Sequence, residues 1–264
     1  MNTDEEILIA FGLTMLAGLS TGIGSLIAFL AKKTNKKFLS SALGLSAGVM
    51  IYVSFMELMP ESVNLLKGIY TERTATIYML LTFFLGIAVI AIIDYLVPDD
   101  ENPHEIHTPE EADNNKELKR TGIMMAMAIG IHNFPEGLAT FASALTDLEI
   151  ALPIVFALAI HNIPEGIAVS VPIYHATQNK KKAFVYSFLS GMAEPIGALI
   201  GFLFLAPFWT DTLNALLLSF VSGIMVYISF DELLPSTEKY GFHHWGLGGV
   251  ILGMVLMAGS LLFI

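Results

Sequence analysis

Eight apolar runs, separated by short polar stretches, organise this chain. They fall at roughly 7–31, 38–60, 74–97, 121–143, 150–174, 183–206, 213–235 and 245–264. Each has the length a helix needs to cross the hydrocarbon layer of a bilayer, about 20 residues. None alternates with the two-residue period of a membrane β-strand, and only helices or closed barrels satisfy their backbone in lipid. The pattern predicts an all-α polytopic membrane protein of eight transmembrane helices. It predicts one domain over 1–264, interrupted by an acidic loop at about 98–120. The opening MNTDEE is acidic where a signal peptide is basic, so the first run reads as a retained span.

Composition sharpens this reading. Of 264 residues, 55% are hydrophobic and 14% charged, against about 25% charged in a soluble domain. There are no cysteines, which excludes disulfides, thiolate metal sites and cysteine nucleophiles. Nearly half of the net charge of −11 comes from the acidic loop, and the balance gives no footprint for nucleic acid. The basic residues set the orientation. With the N-terminus outside, the inner loops hold eleven of the thirteen Lys and Arg: Lys32, Lys33, Lys36, Lys37, Lys116, Lys119, Arg120, Lys180, Lys181, Lys182 and Lys239. Only Lys67 and Arg73 remain outside. Cytoplasmic loops carry the Lys/Arg excess, so both termini are expected to be extracytoplasmic, on a protein of the cell (inner) membrane.

Two motifs recur. GVMIYVSFMELMP (48–60) matches GIMVYISFDELLP (223–235) at eight of thirteen positions. The copies end spans 2 and 7, which run in opposite directions. HNFPEG (132–137) returns as HNIPEG (161–166) on spans 4 and 5, again antiparallel. Both pairs fit one inverted repeat, spans 1–3 with 6–8 and span 4 with 5, an arrangement used by many transporters.

The second motif carries the chemistry. Residues four apart share a helix face, so His132 aligns with Glu136 and His161 with Glu165. Because the spans are antiparallel, His132 should level with Glu165 and Glu136 with His161. Asn133 and Asn162 sit on the flank. Pro135 and Pro164 cannot donate to the carbonyls of Ile131 and Ile160, which frees oxygens beside the cluster. Glu194, in SGMAEPIG, falls at similar depth. A charge there costs at least about 2.5–3.5 kcal/mol, and no Lys or Arg lies inside a span. Three acids at that level need cations. Imidazole, carboxylate and amide donors without sulfur suit Zn²⁺, Fe²⁺, Mn²⁺, Co²⁺ or Cd²⁺ better than Cu⁺, Mg²⁺ or Ca²⁺. The metal-binding set expected is therefore His132, Asn133, Glu136, His161, Asn162, Glu165 and Glu194, holding a transported ion rather than a cofactor.

These segments, HNFPEGLATF, HNIPEGIAVSVPIY and GMAEPIGA, resemble the ZIP (Zrt/Irt-like) metal transporters, most closely the bacterial zinc-uptake branch. The resemblance covers essentially the whole chain, including FDELLP in span 7. It implies a binuclear site. One ion would be held by His132, Glu136, His161 and Glu165. The other would be held by Asn133, Glu136, Asn162, Glu165 and Glu194, with Glu136 and Glu165 bridging. It further implies uptake of divalent metal into the cytosol, breadth in metal choice, and homodimers in several members.

Other residues carry weaker signals. His104 and His107 in the acidic loop read either as a metal-catching segment or as part of a disordered linker. Glu57, Asp231 and Glu232 lie near span ends, as pathway rims or as interfacial groups. His175, His243, His244, Asp147, Glu149 and Asp211 read as solvated, and Trp209 and Trp245 as interfacial anchors. No G-x-x-x-x-G-K-[ST] loop occurs, so the transporter is expected to work without an ATPase. Two rival functions remain: an intramembrane zinc metallohydrolase, although H-E-x-x-H is absent, and a monovalent cation/proton antiporter.

Overall fold

Long apolar runs leave the backbone no partner but itself, and the chain answers with helices. The computed structural model describes residues 4–30, 36–96, 114–146, 148–205, 208, 210–239 and 241–260. The helices are α1 (Asp4–Leu30), α2 (Lys36–Val53), α3 (Met59–Lys67), α4 (Glu72–Leu96), α5 (Asn114–Thr146), α6 (Leu148–Thr177), α7 (Lys180–Gly191), α8 (Ala193–Leu205), α9 (Asp211–Ile228), α10 (Leu234–Lys239) and α11 (His243–Ser260). No strand occurs among the described residues. Six stretches are long and apolar enough to cross a membrane: Asp4–Phe29, Lys36–Lys67, Glu72–Tyr95, Ala151–Val171, Lys180–Phe204 and Asp211–Glu238. His243–Gly259 is a shorter apolar helix. The chain is a multi-pass membrane protein.

Most of the acidic loop, with His104 and His107, lies outside the described residues. α5 begins at Asn114, ahead of the edge that hydropathy sets at 121. The intervening KELKR is polar but made of good helix formers, so the helix continues beyond its apolar part.

Prolines explain where helices change character. Ser54–Leu58 and Ser229–Leu233 are π-turns, and each is followed within two residues by a proline, Pro60 or Pro235. A proline ring clashes with the carbonyl four residues back and cannot bond to it. Widening the preceding turn by one residue relieves this. In both turns the closing amide reaches back five residues, from Met59 to Ser54 and from Leu234 to Ser229. Span 6, continuous over 183–206 by hydropathy, is instead broken at Met192 between α7 and α8. Pro195 cannot donate to Gly191, and the break brings Glu194 into the first turn of α8.

Packing falls into two groups. α1, α5, α6, α7 and α8 contact one another, as do α2, α3, α4, α9, α10 and α11. The groups meet along α2 with α6 and α5 with α9. Glycines bring the backbones close. A Cβ on Gly48 would overlap the Val250 carbonyl, and one on Gly223 the Phe83 carbonyl. Likewise Gly86 lies against Phe220, and Gly253 against Leu45. Small residues permit such approach where lipid offers no hydrophobic drive for association.

The outer surface is apolar as well as the core. Leu81, Phe84, Leu85 and Ile92 on α4 face outward, as do Leu203 and Phe204 on α8. His, Asn, Glu, Ser and Thr side chains lie inside. Exposed apolar surface of this extent accords with a multi-pass membrane protein.

Candidate metal transport site

α5 continues through Pro135 and α6 through Pro164, so each HNxPEG copy stays helical. The two helices pack side by side, and the expected levelling is present. His132 Nε2 lies 3.3 Å from Glu165 Oε1. His161 Nε2 lies 3.5 Å from Glu136 Oε2, a close contact outside hydrogen-bond geometry. All four side chains are at most 1% exposed.

The asparagines are anchored by their amide nitrogens. Asn133 Nδ2 donates to the Ser190 carbonyl on α7 at 3.2 Å. Asn162 Nδ2 donates to the Ala17 carbonyl on α1 at 3.0 Å and to Glu194 Oε1 on α8. Anchoring the nitrogen leaves each Oδ1 oxygen without a partner among the described residues. Glu194 is fully buried.

Glycines fix the depth of these contacts. A Cβ on Gly137, closing the first copy, would overlap the Glu194 backbone carbonyl. One on Gly197 would overlap the Phe134 carbonyl. On the other side, Gly166 meets the Thr21 carbonyl and Gly24 meets the Ile163 carbonyl in the same way. The α5–α8 contact thus has a counterpart in the α6–α1 contact.

Electrostatically the cluster is unbalanced. The buried polar set includes Glu136, Glu165 and Glu194 but no Lys or Arg among the described residues. Besides the two Oδ1 atoms, His132 Nδ1, His161 Nδ1, Glu165 Oε2 and Glu194 Oε2 lack hydrogen-bond partners among the described residues. Orphaned buried polar atoms are costly and uncommon, and several of them gather between these helices. Among the described residues, no three His, Cys, Asp or Glu side chains stand ready-arranged around a metal ion. The imidazoles and carboxylates are paired with each other instead.

All seven residues expected from the sequence lie on α5, α6 and α8: His132 meets Glu165, His161 meets Glu136 and Asn162 meets Glu194, while Asn133 bonds outside the set to Ser190. Most of the weaker candidates scatter. Glu232, in the second π-turn, is buried and close enough to His132 for its charge to act there, whereas Glu57, in the first, is half-buried. Asp94 accepts from Tyr227 Oη at 3.4 Å. His243 Nδ1 sits 2.9 Å from Glu238 Oε1 on the surface. Trp245 lies under Lys37 Nζ, 5.3 Å from its ring centre. Asp147, Trp209 and the side chain of His175 lie outside the described residues. Sequence reasoning does not find the carbonyl acceptors Ala17 and Ser190. Ser187 Oγ, also unanticipated, donates to the carbonyls of Thr21 and Gly166, both at 3.3 Å.

Helices that cross a membrane and converge on buried acids and imidazoles define an ion-handling membrane protein. The chain belongs to the ZIP zinc transporter family: the model of that family matches residues 97–261. It is 60% identical over 259 residues to the zinc transporter ZupT of Streptococcus mutans, covering 98% of both chains. It is 57% identical to ZupT of Clostridium perfringens, covering 98% of this chain and 96% of the relative. It is 55% identical to ZupT of Nitratidesulfovibrio vulgaris, covering 99% of each. These relatives are transporters, not enzymes, and the metallohydrolase reading falls.

Proposed function

We propose that this chain carries Zn²⁺, and with it Fe²⁺, Mn²⁺, Co²⁺ and Cd²⁺, into the cytosol through a two-ion site at mid-membrane. The observation that carries the proposal is the reciprocal pairing of His132 with Glu165 and His161 with Glu136 across antiparallel helices. An ion takes up its ligands by exchanging these His–Glu contacts for bonds to itself. Two divalent ions offset the three acids of the proposed ligand set, Glu136, Glu165 and Glu194, with the imidazoles neutral. One ion engages His132, Glu136, His161 and Glu165. The second engages Asn133, Glu136, Asn162, Glu165 and Glu194, and the two central glutamates bridge. The orphaned oxygens of Asn133, Asn162 and Glu194 support the second set.

An inverted repeat with eight crossings supports a carrier. The paired glycine contacts correspond: Gly137 against Glu194 with Gly166 against Thr21, Gly197 against Phe134 with Gly24 against Ile163. Gly48 against Val250 corresponds to Gly223 against Phe83, and Gly86 against Phe220 to Gly253 against Leu45. The two π-turns, SFMEL and SFDEL, correspond as well. A single pseudo-two-fold axis relates all of them. Rocking of one helix group against the other then exposes the site alternately to each face.

The chain lies in the cell (inner) membrane as one domain with both termini outside, as the Lys and Arg distribution favours. An inside-negative potential of about 100 mV favours inward movement of a divalent ion by about 4.6 kcal/mol, twice the single-charge value. The test is zinc uptake into proteoliposomes. Wild type should accumulate Zn²⁺ while a Glu136→Ala/Glu165→Ala variant stays at background; equal uptake by both defeats the proposal. Na⁺-dependent proton flux without divalent dependence would favour the antiporter instead.

A further inference from the structure

On one side of the site, Asn162 Nδ2 donates to the Ala17 carbonyl and to Glu194. On the other, Asn133 Nδ2 donates to the Ser190 carbonyl. The glycine contacts place Thr21 against Gly166 as Glu194 lies against Gly137. The next turn agrees. A Cβ on Gly18 would overlap the Gly191 carbonyl, and one on Gly191 the Gly18 carbonyl. Ala17 and Gly18 on α1 therefore stand where Ser190 and Gly191 stand on α7, and Thr21 stands where Glu194 does. Thr21 is fully buried. Its Oγ1 would lie 2.7 Å from a Cβ on Gly191, beside the turn whose Ser190 carbonyl holds Asn133. That hydroxyl has no hydrogen-bond partner among the described residues, and neither does Asn133 Oδ1.

We propose that Thr21 is an ion-facing residue of the transport site, the neutral counterpart of Glu194, and that it sets the affinity and metal preference of the Asn133 side. The proposal rests on the transport-site reading above. A hydroxyl can give an oxygen to the ion or hold a water on it, and it can donate to Asn133 Oδ1. A buried hydroxyl left unmatched costs free energy, whereas a threonine kept only for packing is replaceable by valine of the same shape. With Glu in one position and Thr in the other, the two halves differ by one negative charge. The asymmetry limits the charge presented to two divalent ions and leaves the Asn133 side of the second ion's ligand set without a carboxylate. Harder, more strongly hydrated ions gain most from an added oxygen donor, so removing the hydroxyl lowers Mn²⁺ uptake more than Zn²⁺ uptake.

Uptake of Zn²⁺ and Mn²⁺ into proteoliposomes by the full chain tests this. Thr21→Val should raise the zinc KM by about tenfold, lower the Mn²⁺/Zn²⁺ ratio, and leave thermal unfolding unchanged. Thr21→Ser, which keeps the hydroxyl, should return both readouts towards wild type. Glu194→Thr should transport poorly, and adding Thr21→Glu should restore most of the uptake, because the absent side chain of Gly191 leaves room beside residue 21. A folded Thr21→Val with wild-type KM and metal ratio overturns the proposal. If that variant does not fold, the exchange pair decides: no restoration by Thr21→Glu overturns it. Glu136→Ala is measured alongside. Normal uptake by that variant would be a failure of the site reading itself, distinct from a failure at Thr21.

Discussion

Asn162 on α6 donates to the Glu194 carboxylate on α8. The third acid of the cluster is thereby tied to the second HNxPEG copy, and Asn133 in the first copy has no such bond to it. One amide nitrogen joins α6 to both α8 and α1.

Asn162→Ala should therefore cost more than Asn133→Ala. The first removes a hydrogen bond to a carboxylate along with an anchor to Ala17; the second removes a single neutral anchor to Ser190. Hydrogen bonds to charged groups are worth about 1.5–3 kcal/mol and neutral ones about 0.5–1.5. Zinc KM for the two variants checks this, and the expected order is wild type, Asn133→Ala, Asn162→Ala from lowest to highest.

Gly137→Ala should destabilise the protein by about 1–3 kcal/mol through overpacking, since its Cβ overlaps the Glu194 backbone. Gly12→Ala is the contrast. It lies within α1 with nothing within 4 Å of an added Cβ, so the gain in helix propensity should leave stability unchanged or raise it by up to about 1 kcal/mol. Unfolding midpoints in detergent distinguish the two.

Zinc uptake should weaken as pH falls. Carboxylate and imidazole bind metal only when deprotonated, so protons compete with the ion at His132, Glu136, His161, Glu165 and Glu194. Zinc KM should rise from pH 7 to pH 5. A KM independent of pH over that range would mean these groups are not the ligands.

The absence of cysteine makes orientation directly measurable. Gly68→Cys, in the exposed turn between α3 and α4, should react with an impermeant thiol reagent added outside intact cells. Lys181→Cys, exposed at the start of α7, should react only after permeabilisation. The opposite result inverts the topology.

The levels of the central residues are legible in the amino-acid sequence. Helical periodicity puts His132 over Glu136, and antiparallel spans bring Glu165 opposite His132; spacing and span order suffice for both. The break at Met192 is less visible, although its cause, Pro195, stands in the sequence. Hydropathy records the apolar length of a span and passes over a missing hydrogen bond inside it. The π-turns are hidden for the same reason, one residue of widening before Pro60 and Pro235. Thr21 escapes notice because GLSTGIGS reads as a run of small residues that lets helices approach. Only the contacts of Gly166 and Gly191 show where that threonine packs, and only the proposed repeat makes it the counterpart of Glu194. The span boundary differs clearly at α5, where KELKR is polar enough to end a hydropathy run and helical enough to continue the helix.

Zinc-edge anomalous scattering from zinc-loaded crystals tests the central claim most directly. The account predicts two peaks between α5 and α6, each about 2 Å from oxygens of Glu136 and Glu165, one facing His132 and His161 and the other facing Glu194. Zinc bound with uptake intact, but with no peak within a coordination bond of either glutamate, would contradict it.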